Sequence, residues 1–462
     1  MLSRWFHRTV VYPGVVLARG EGALFKRLAE LRALQWLPGD QLARQQDHRL
    51  AAILNHAAER SPYYRARWPR SAPIGAVDAR RRLAELPFLT KADLQTSADE
   101  LRAYPRPSGQ VTRKTTGGST GQAVTVLKDR TATAYERAAM WLGYGWFGVR
   151  FGDRVARFWG APFTLRHRIV ATAADFAMHR VRFSAFAFTD ADLEFHWKRC
   201  QSFRPDYLHG YVSMLEVIAD FALRRGYDGR SLGLKSIIAT SEAMSLPQRA
   251  RIQDCFGAPV QIEYGSGETG PIAYECERGS LHLMVDDLVV EILTPHGRPA
   301  EVGEAGEVVV TDLNNRAMPL VRYRLGDFAV RGGPCACGRG FPVLEKVWGR
   351  AYDFVDTPDG RRYHGEFFMY LFEDLRREGA GVRQFQVTQD GAQSLDVAVV
   401  VAEPGENSGR LEHRIEQLLR QRLPGMRIVI RRISAIQRSS SGKLQLIRRT
   451  EGSRAPLGAI PA

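Results

Sequence analysis

The amino-acid sequence predicts an α/β protein, in which a large N-terminal domain with central β-sheets and helices precedes a small α+β domain. The chain of 462 residues is longer than one hydrophobic core usually organises, so two or three domains are expected. Between about residues 111 and 330, short β-branched runs alternate with helical patterns, which is typical of a sheet covered by helices. After residues 349–353 the pattern becomes that of a small α+β unit.

The first hundred residues are expected to be mainly helical. Leu24, Leu28, Leu31 and Leu34 recur at helical spacing, and the pattern continues to about residue 61. Thr90 is placed as the N-cap of a short helix that has an acidic residue in its first turn. The helical region is therefore predicted to cover about residues 1–100.

Strands are predicted where short apolar, β-branched runs occur, at Ala123–Leu127, Arg154–Trp159, Lys235–Ala239, Val260–Tyr264, Leu288–Leu293 and Glu307–Thr311. The C-terminal unit is predicted to contain helix Gly365–Arg377, strands Arg383–Thr388 and Ser394–Val401, helix Ser408–Arg422 and strand Arg427–Ile433. The domains are thus expected to span residues 1–348 and 349–462, because about 110 residues suffice for a separate domain.

The composition narrows the class of protein. The formal net charge is +15, but the arginines are scattered along the whole chain, which favours a solvated surface over a nucleic-acid site. An anionic substrate or an anionic membrane face is the next alternative. No stretch approaches the roughly 20 apolar residues that span a bilayer, and five cysteines do not form a disulfide framework. A cytoplasmic protein without a transmembrane segment is expected.

The first motif is the glycine- and hydroxyl-rich run Thr115–Gly121, just before a predicted strand. Glycines let backbone amides approach phosphate oxygens, and hydroxyls add donors. Gln122 follows where a Walker loop would have Lys, so the motif is not a Walker loop. The alternative interpretation of the run is an ordinary turn.

The second motif, Glu263–Gly270, is a strand that ends in a glycine-rich turn with one carboxylate, Glu268. A carboxylate beside polyphosphate can hold Mg²⁺, which prefers oxygen ligands. Taken alone, the motif is more often a surface turn.

In the third motif, Pro319–Asp327, the carboxylate of Asp327 follows a glycine at the end of an apolar run. Such a carboxylate can accept both hydroxyls of a ribose, as in dinucleotide-binding folds. The alternative is an aspartate that caps a turn.

The fourth motif, Arg438–Leu444, is a serine- and glycine-rich segment that presents Lys443. A lysine is a mobile point charge that can meet the charge developing when a carboxylate attacks a phosphate. As a lone loop it would carry little information.

In this order and at these separations, the four motifs resemble the adenylate-forming superfamily of acyl-CoA ligases, nonribosomal adenylation domains and luciferases. Within it, the chain resembles the phenylacetate-CoA ligase-like family, which includes CapK-like enzymes of capsular polysaccharide biosynthesis. The resemblance covers nearly the whole chain. It includes the N-terminal signature Ser61–Tyr64 followed by Leu86–Lys91, and also His209–Tyr211 and Thr240–Ala243.

The resemblance implies a role for each motif. Residues that would wrap the ATP phosphates are Thr115, Thr116, Gly117, Gly118, Ser119, Thr120 and Gly121. Residues that would flank the adenine are Ser241, Glu242, Ala243, Tyr264 and Gly265. Glu268 would bind Mg²⁺, Asp327 the ribose and Arg350 the nucleotide, while Lys443 would act on the reacting carboxylate and α-phosphate. The acyl pocket would include His209, Gly210 and Tyr211, although a structural histidine before a tight turn is an equal alternative for His209.

The reaction that the resemblance implies is ATP-dependent activation of a carboxylic acid to an acyl-adenylate with release of pyrophosphate. Acyl transfer, most directly to coenzyme A, would follow. The alternative acceptor is an amine or a sugar, as in polysaccharide or secondary-metabolite biosynthesis. The small C-terminal domain would be mobile and would swing between two poses. ATP, Mg²⁺ and coenzyme A are the expected small molecules, nucleic acid is not an expected partner, and a homodimer is compatible with these features.

Two positions depart from the family pattern. Gly267 stands where a hydroxyl residue commonly precedes the Mg²⁺ glutamate, so Ser266 or Thr269 would have to replace that group. Tyr352 stands at a hinge position that is often acidic. Both departures bear on the second half-reaction.

The cysteines and one histidine predict a structural zinc site. Cys276, His282, Cys335 and Cys337 supply four ligands, a closed tetrahedral set with no catalytic position left open. The alternative is buried cysteines with an exposed histidine, but some phenylacetate-CoA ligase-like relatives carry a similar set. The remaining cysteines, at 200 and 255, lie in helical contexts and are expected in the core.

Two other classes of function remain to be weighed. A non-catalytic scaffold would be expected to have lost at least one of Lys443, Asp327 and Glu268, and all three are present. A nucleic-acid binder driven by positive charge would show a steep salt dependence of affinity.

Overall fold

The computed structural model describes residues 2–68, 73–103, 111–116, 124–159, 172, 174–184, 189–350, 354–359, 362–378, 380–391, 393–401, 408–437 and 444–450. Within these residues, no helix is both long enough and apolar enough to cross a membrane.

The first part of the chain is helical, as predicted. Its α-helices are α1 (Leu2–Phe6), α2 (Tyr12–Ala18), α3 (Ala23–Leu34), α4 (Gly39–Arg60), α5 (Pro62–Arg67), α6 (Ala79–Glu85), α7 (Lys91–Thr96) and α8 (Ala98–Leu101). A π-helical turn, His7–Val11, joins the first two helices. Thr90 caps α7 in a capping box with Asp93, so the predicted N-cap is confirmed.

A two-stranded hairpin follows, formed by β1 (Val111–Thr116) and β2 (Val124–Asp129), whose strands are antiparallel. Helix α9 (Arg130–Gly145) starts directly after it, with Asp129 as the N-cap. Apolar side chains of α9 pack against those of α3, in a core that includes Leu24, Leu28 and Leu142. The second core packs α4 and the inner face of the hairpin against residues 317–323.

Among the described residues, eleven strands form one large sheet in the order β10-β11-β12-β13-β9-β8-β7-β6-β5-β3-β4. Its strands are β3 (Val155–Trp159), β4 (Arg180–Ser184), β5 (Tyr207–Tyr211), β6 (Ser236–Thr240), β7 (Val260–Ser266), β8 (Gly270–Glu275), β9 (Leu281–Leu283), β10 (Leu288–Leu293), β11 (Ala305–Asp312), β12 (Tyr323–Arg331) and β13 (Val343–Arg350). The stretch from β4 to β7 is parallel and the remainder antiparallel.

Helices cover both faces of the parallel part. One face packs on α9, and the other packs on α10 (Asp190–Phe203), α11 (Val212–Arg224) and α12 (Leu246–Phe256). Strand β6 is buried on both faces, which explains its continuous apolar run Ile237–Ala239. The carboxyl ends of parallel strands lie at one edge, where α/β sheets bind their ligands.

The C-terminal residues form a core of their own. A four-stranded sheet has the order β18-β17-β16-β19, with a small hairpin β14–β15 beside it. The elements are β14 (Phe354–Asp356), β15 (Arg362–His364), α13 (Gly365–Arg377), β16 (Val382–Asp390), β17 (Ser394–Val401), α14 (Ser408–Arg422), β18 (Arg427–Arg432) and β19 (Ile447–Arg449). Phe372, Leu395, Val397 and Ile415 are buried together in this core.

The predicted α/β fold class is confirmed, and every predicted strand and helix listed from the sequence has a counterpart within a few residues. The division into residues 1–348 and 349–462 stays a prediction. His209–Tyr211, which one of the two interpretations of the sequence set before a tight turn, forms the end of the buried strand β5, and helix α11 begins directly after it at Val212.

Candidate active site

Two predicted nucleotide residues, Tyr264 of β7 and Asp327 of β12, contact each other, and the backbone of a third, Arg350, pairs with Asp327. The Tyr264 hydroxyl donates a hydrogen bond of 2.9 Å to Asp327 Oδ2. Asp327 is also the backbone partner of Arg350 in the antiparallel pair β12–β13. Strands β12 and β13 pair directly, whereas β7 and β12 are not neighbours in the sheet, so the bond between Tyr264 and Asp327 is a tertiary contact. Gly265 lies next to Tyr264 in β7, opposite Pro271 of β8.

The segment after β6 lies at the same carboxyl edge. Ser241 has a left-handed backbone with φ of 70°, which turns the chain sharply at the strand end. The next residue, Glu242, accepts hydrogen bonds from the Ser213 backbone N–H (2.7 Å) and Oγ (3.1 Å) at the start of α11. A carboxylate is stabilised there by the helix dipole. Ala243 is exposed beside it.

Glu242 also contacts the C-terminal core. Its Oε1 accepts a hydrogen bond of 2.9 Å from the backbone N–H of Leu444. Lys443, the predicted catalytic residue, lies outside the described residues, but Leu444 follows it directly. The sequence assigned Glu242 only to the adenine pocket. The structure gives its carboxylate a further role, a link between the strand edge and the segment after Lys443.

The base of the predicted phosphate loop is held by buried charges. Lys114 of β1 and Lys128 of β2 both contact the carboxylate of Glu136 on α9, and Lys128 Nζ lies 3.1 Å from Asp312 Oδ2. Burial opposes the charge on Lys128, but Asp312 and Glu136 outweigh it and raise its pKa above the usual range. The loop itself, Gly117–Gly121, lies outside the described residues, and of Thr115 and Thr116 only the β1 backbone is described.

The turn that carries Glu268 packs on the same cluster. Gly270 follows it with φ of 86°, and a Cβ at this position would lie 2.5 Å from Glu136 Oε1, so the close approach requires glycine. Ser266 Oγ and Thr269 Oγ1 are 2.9 Å apart, and the Thr269 N–H donates to Ser266 Oγ. The two hydroxyls beside Gly267 thus bond to each other. Glu268 itself is 6% exposed, and its oxygens fit the ligand chemistry of Mg²⁺.

A second polar cluster lies between α9 and the ends of β5 and β7. His209 Nε2 is 3.9 Å from Glu263 Oε1, too long for a hydrogen bond. Glu263 Oε2 accepts bonds from the hydroxyls of Tyr144 (2.8 Å) and Tyr274 (3.2 Å). Burial raises the pKa of the Glu263 carboxyl, but the neighbouring His209 ring and the Tyr144 hydroxyl outweigh this and hold the pKa at about 2. Burial lowers the pKa of His209, and the nearby Glu263 carboxylate opposes that shift.

The other two predicted acyl-pocket residues lie beside His209 on β5. Gly210 pairs with Phe158 of β3, and the Tyr211 ring lies 4.5 Å from that of Trp159. The sequence analysis missed Glu263, Tyr144 and Arg157 as members of this region. The available signal was a charged residue inside an otherwise apolar strand, since a buried charge needs partners.

The predicted zinc ligands converge. The ligand atoms of Cys276, His282, Cys335 and Cys337 all lie within 4.8 Å of one another. Cys276 Sγ and Cys335 Sγ are 3.7 Å apart, close to the roughly 3.8 Å edge of a tetrahedron with Zn–S bonds of about 2.3 Å. His282 Nδ1 lies 2.9 Å from the Phe341 carbonyl oxygen. If Nδ1–H donates to that oxygen, the other ring nitrogen, Nε2, is left to face the thiols.

The surroundings of this cluster also fit a metal–thiolate site. Backbone N–H groups of Arg278 and Cys337 donate to Cys276 Sγ and Cys335 Sγ, each at 3.4 Å. Arg339 stacks over the Trp146 ring at 4.5 Å and interacts with Cys337, so its charge would offset that of thiolates bound to a metal. The donor set of three thiols and one imidazole thus suits zinc. Cys200 and Cys255 are buried in the core, as predicted, where burial raises their pKa to about 12.

Comparisons with known proteins give the relatives of this chain. No family model matches the chain. It is 26% identical over 350 residues to a phenylacetate-coenzyme A ligase of Thermus thermophilus, which covers 70% of this chain and 73% of the relative. It is 24% identical over 286 residues to the protein CapK of Staphylococcus aureus, with 61% of each chain covered.

The solved structures show the same fold. A 2-hydroxyisobutyryl-CoA ligase in its postadenylation state superposes with a TM-score of 0.71 at 19% identity, over 90% of this chain and 91% of that chain. The same ligase in its thioesterification state gives a TM-score of 0.58. The chain therefore has the fold of these ligases. Its curated relatives are named phenylacetate-coenzyme A ligase and CapK, in agreement with the family resemblance predicted from the sequence.

Proposed function

We propose that this protein uses ATP to activate a carboxylic acid as an acyl-adenylate and then transfers the acyl group to coenzyme A. The observation that supports adenylation best is the bond from Leu444 to Glu242, because it draws the segment after Lys443 to the strand edge. Tyr264 and Asp327 lie on that edge. A lysine and a nucleotide site would thus meet although they come from different cores.

In the first half-reaction, Asp327 accepts the ribose hydroxyls and the backbone after β6 flanks the adenine. A carboxylate oxygen of the acid attacks the α-phosphorus and pyrophosphate leaves. Lys443 neutralises the charge that develops between these groups, the kind of electrostatic stabilisation that contributes most in active sites. Glu268 would hold Mg²⁺, which when bound neutralises the phosphate oxygens.

In the second half-reaction, the thiol of coenzyme A attacks the acyl carbon and AMP leaves. We propose that residues 349–462 rotate as a mobile domain between the two steps, breaking the bond between Leu444 and Glu242. A conformational gate of this kind lets one pocket serve two reactions. The relatives named phenylacetate-coenzyme A ligase support a CoA acceptor.

An amine or sugar acceptor is the second candidate, because CapK is also a relative. Incubating the enzyme with ATP, an acid and either coenzyme A or hydroxylamine separates the two. AMP release that depends on coenzyme A supports the thioester. AMP release with hydroxylamine and indifference to coenzyme A would exclude it.

The zinc site completes the proposal as a structural element. Zinc on Cys276, His282, Cys335 and Cys337 would join the β8–β9 hairpin to the loop between β12 and β13. Strand β12 carries Asp327, so the metal would stiffen the edge on which the nucleotide binds. Free thiols and a thiolate site also support the expected cytoplasmic location. The homodimer stays a prediction.

The decisive experiment is pyrophosphate exchange with Lys443→Ala. Exchange is expected to fall at least about 100-fold, because the positive charge acts mainly on the transition state. ATP binding, measured by calorimetry, is expected to change little. Lys198→Ala is the matched control, since this exposed lysine pairs with Glu194 on its own helix, α10. Unimpaired adenylate formation by Lys443→Ala would contradict the assignment.

A further inference from the structure

Polar side chains lie on strands β5 and β3, which follow β6 in the sheet on the side away from β7. In the proposed function, the nucleotide contacts residues at the ends of β6, β7 and β12, and the acid must reach its α-phosphate. The next strands on that side are β5 and β3. Their residues that face α9 are His209 and Arg157, at backbone positions paired with each other. The acyl group would therefore extend towards these two side chains.

His209 and Glu263 leave a gap that a small polar group could bridge. The 3.9 Å between Nε2 and Oε1 exceeds a hydrogen bond, and Nε2 is buried without a hydrogen-bond partner among the described residues. The side chains retain 11% and 17% of their exposure, so neither is fully closed off from solvent. A hydroxyl between them could accept from one group and donate to the other.

The surroundings of Arg157 are the strongest evidence in this region for a polar group on the ligand. Its guanidinium stacks over the Trp159 ring at 4.2 Å, and its Nε is buried with no acceptor among the described residues. The neighbouring Arg180 and Arg182 share the carboxylate of Asp175, whereas Arg157 takes part in no described ion pair. A buried guanidinium N–H without an acceptor is unfavourable. An acceptor oxygen supplied by the ligand would remove that penalty.

An unsubstituted hydrocarbon acid does not suit such a lining. Placed against Arg157 and His209, it would shield both groups from water and offer no hydrogen bond in return. Sites built to bond a polar group discriminate strongly against an analogue that lacks the group, because their own donors are then left unpaired. The charge of Arg157 and the unpartnered Nε2 of His209 among the described residues both favour an oxygen on the acyl chain.

We propose that the acid activated here carries a second oxygen-bearing group, a hydroxyl or a second carboxylate, which binds Arg157 and His209. This inference rests on the proposed function and names its substrate class. The group is separate from the carboxylate that reacts with ATP. Arg157 is thus a specificity-determining residue that contacts the acyl chain, not the reacting atoms.

The test is pyrophosphate exchange with matched acid pairs that differ in one oxygen group: phenylacetate and 4-hydroxyphenylacetate, butyrate and 3-hydroxybutyrate, and butyrate and succinate. In at least one pair, kcat/KM for the oxygenated acid is expected to exceed that of its partner about tenfold or more. The pair that shows the preference distinguishes a hydroxyl from a second carboxylate. Arg157→Met is expected to reduce the ratio at least about fivefold.

The control is Arg154→Met, the same substitution just before β3, where the guanidinium contacts Asp206 and the Phe203 ring instead. It is expected to leave the ratio unchanged. A preference for the hydrocarbon acid in every pair, or an unchanged ratio in Arg157→Met, would overturn the inference and leave the proposed function standing. Absence of exchange with all five acids would overturn both the inference and the proposed function.

Discussion

Lys128 offers the sharpest test of how the phosphate-loop hairpin is held, through the substitution Lys128→Met. Its side chain is completely buried, and its ammonium contacts Glu136 and Asp312 at once. The substitution keeps the length and the packing but removes the charge. Two buried carboxylates then lose their shared partner, which is the situation in which a broken ion pair is most destabilising.

The expected loss of unfolding free energy depends on the partners that Glu136 and Asp312 keep in the variant. Breaking a buried pair on one side usually costs about 3–5 kcal/mol. Glu136 keeps its contact with Lys114, and Asp312 Oδ1 still accepts the N–H groups of Asn314 and Asn315. The loss is therefore expected at the low end, about 3 kcal/mol.

Acidification separates this mechanism from a packing defect. In the native protein, burial opposes ionisation of Glu136, but Lys128 and Lys114 outweigh it and lower its pKa. Its stabilisation is present above the ordinary carboxyl pKa of about 4.3 and disappears as the pH falls through the lowered value. Without Lys128 the carboxylates take up protons more readily. The stability difference between variant and native protein should therefore shrink from pH 7 to pH 5.

Urea unfolding followed by tryptophan fluorescence is the assay, and it reports on the large sheet because every tryptophan lies at or before Trp348. Lys198→Met is the control, since its pair with Glu194 is exposed. The double variant Lys128→Met/Glu136→Gln should regain part of the loss. Equal losses of stability in Lys128→Met and Lys198→Met would refute the reasoning. So would a loss in Lys128→Met that does not change with pH.

Two further predictions concern packing and metal. Gly143→Ala should destabilise the sheet core by about 1–3 kcal/mol in the same unfolding assay, because its Cβ would lie 2.3 Å from the Tyr274 ring. Gly145→Ala on the same helix has open space around its Cβ and should be nearly neutral. Similar losses of stability in the two variants would contradict this prediction. Cys335→Ser should weaken zinc binding, measured by metal analysis and chelator competition, beyond the roughly 10- to 100-fold typical of outer-shell losses. Cys200→Ser, away from the cluster, should retain the metal, and equal zinc content in both variants would exclude the site.

The sequence could predict the elements whose pattern follows from local chemistry. Strand β6 is buried on both faces, so its run of apolar residues was sufficient, and the Thr90 cap could be predicted from its hydroxyl and the acidic residue three positions later. Strand β5 was missed because its end, His209–Tyr211, contains a glycine and a histidine. Those residues indicate a turn unless the covering helices on both faces are known.

The candidate site also has a part that the sequence could predict and a part that it could not. The order of Glu268, Asp327 and Lys443 along the chain predicted an adenylation site, and the structure brings Tyr264 and Asp327 into contact. Contacts between distant segments could not be predicted. The bonds from Tyr144 and Tyr274 to Glu263 depend on how α9 and β8 pack against β7, and no local pattern encodes that arrangement.

The link through Glu242 bears on how the two half-reactions alternate. Its carboxylate is fixed on one side by the N-terminus of α11 and bonds on the other to the Leu444 N–H. A hydrogen bond to a charged group contributes about 1.5–3 kcal/mol, enough to favour the proposed adenylation pose and small enough to be broken within a catalytic cycle. In the proposed rotation of residues 349–462 the carboxylate would keep its bonds to Ser213, so Glu242 would not be left as an unpaired charge. The rigid half of the link would thus remain set for the return of Lys443.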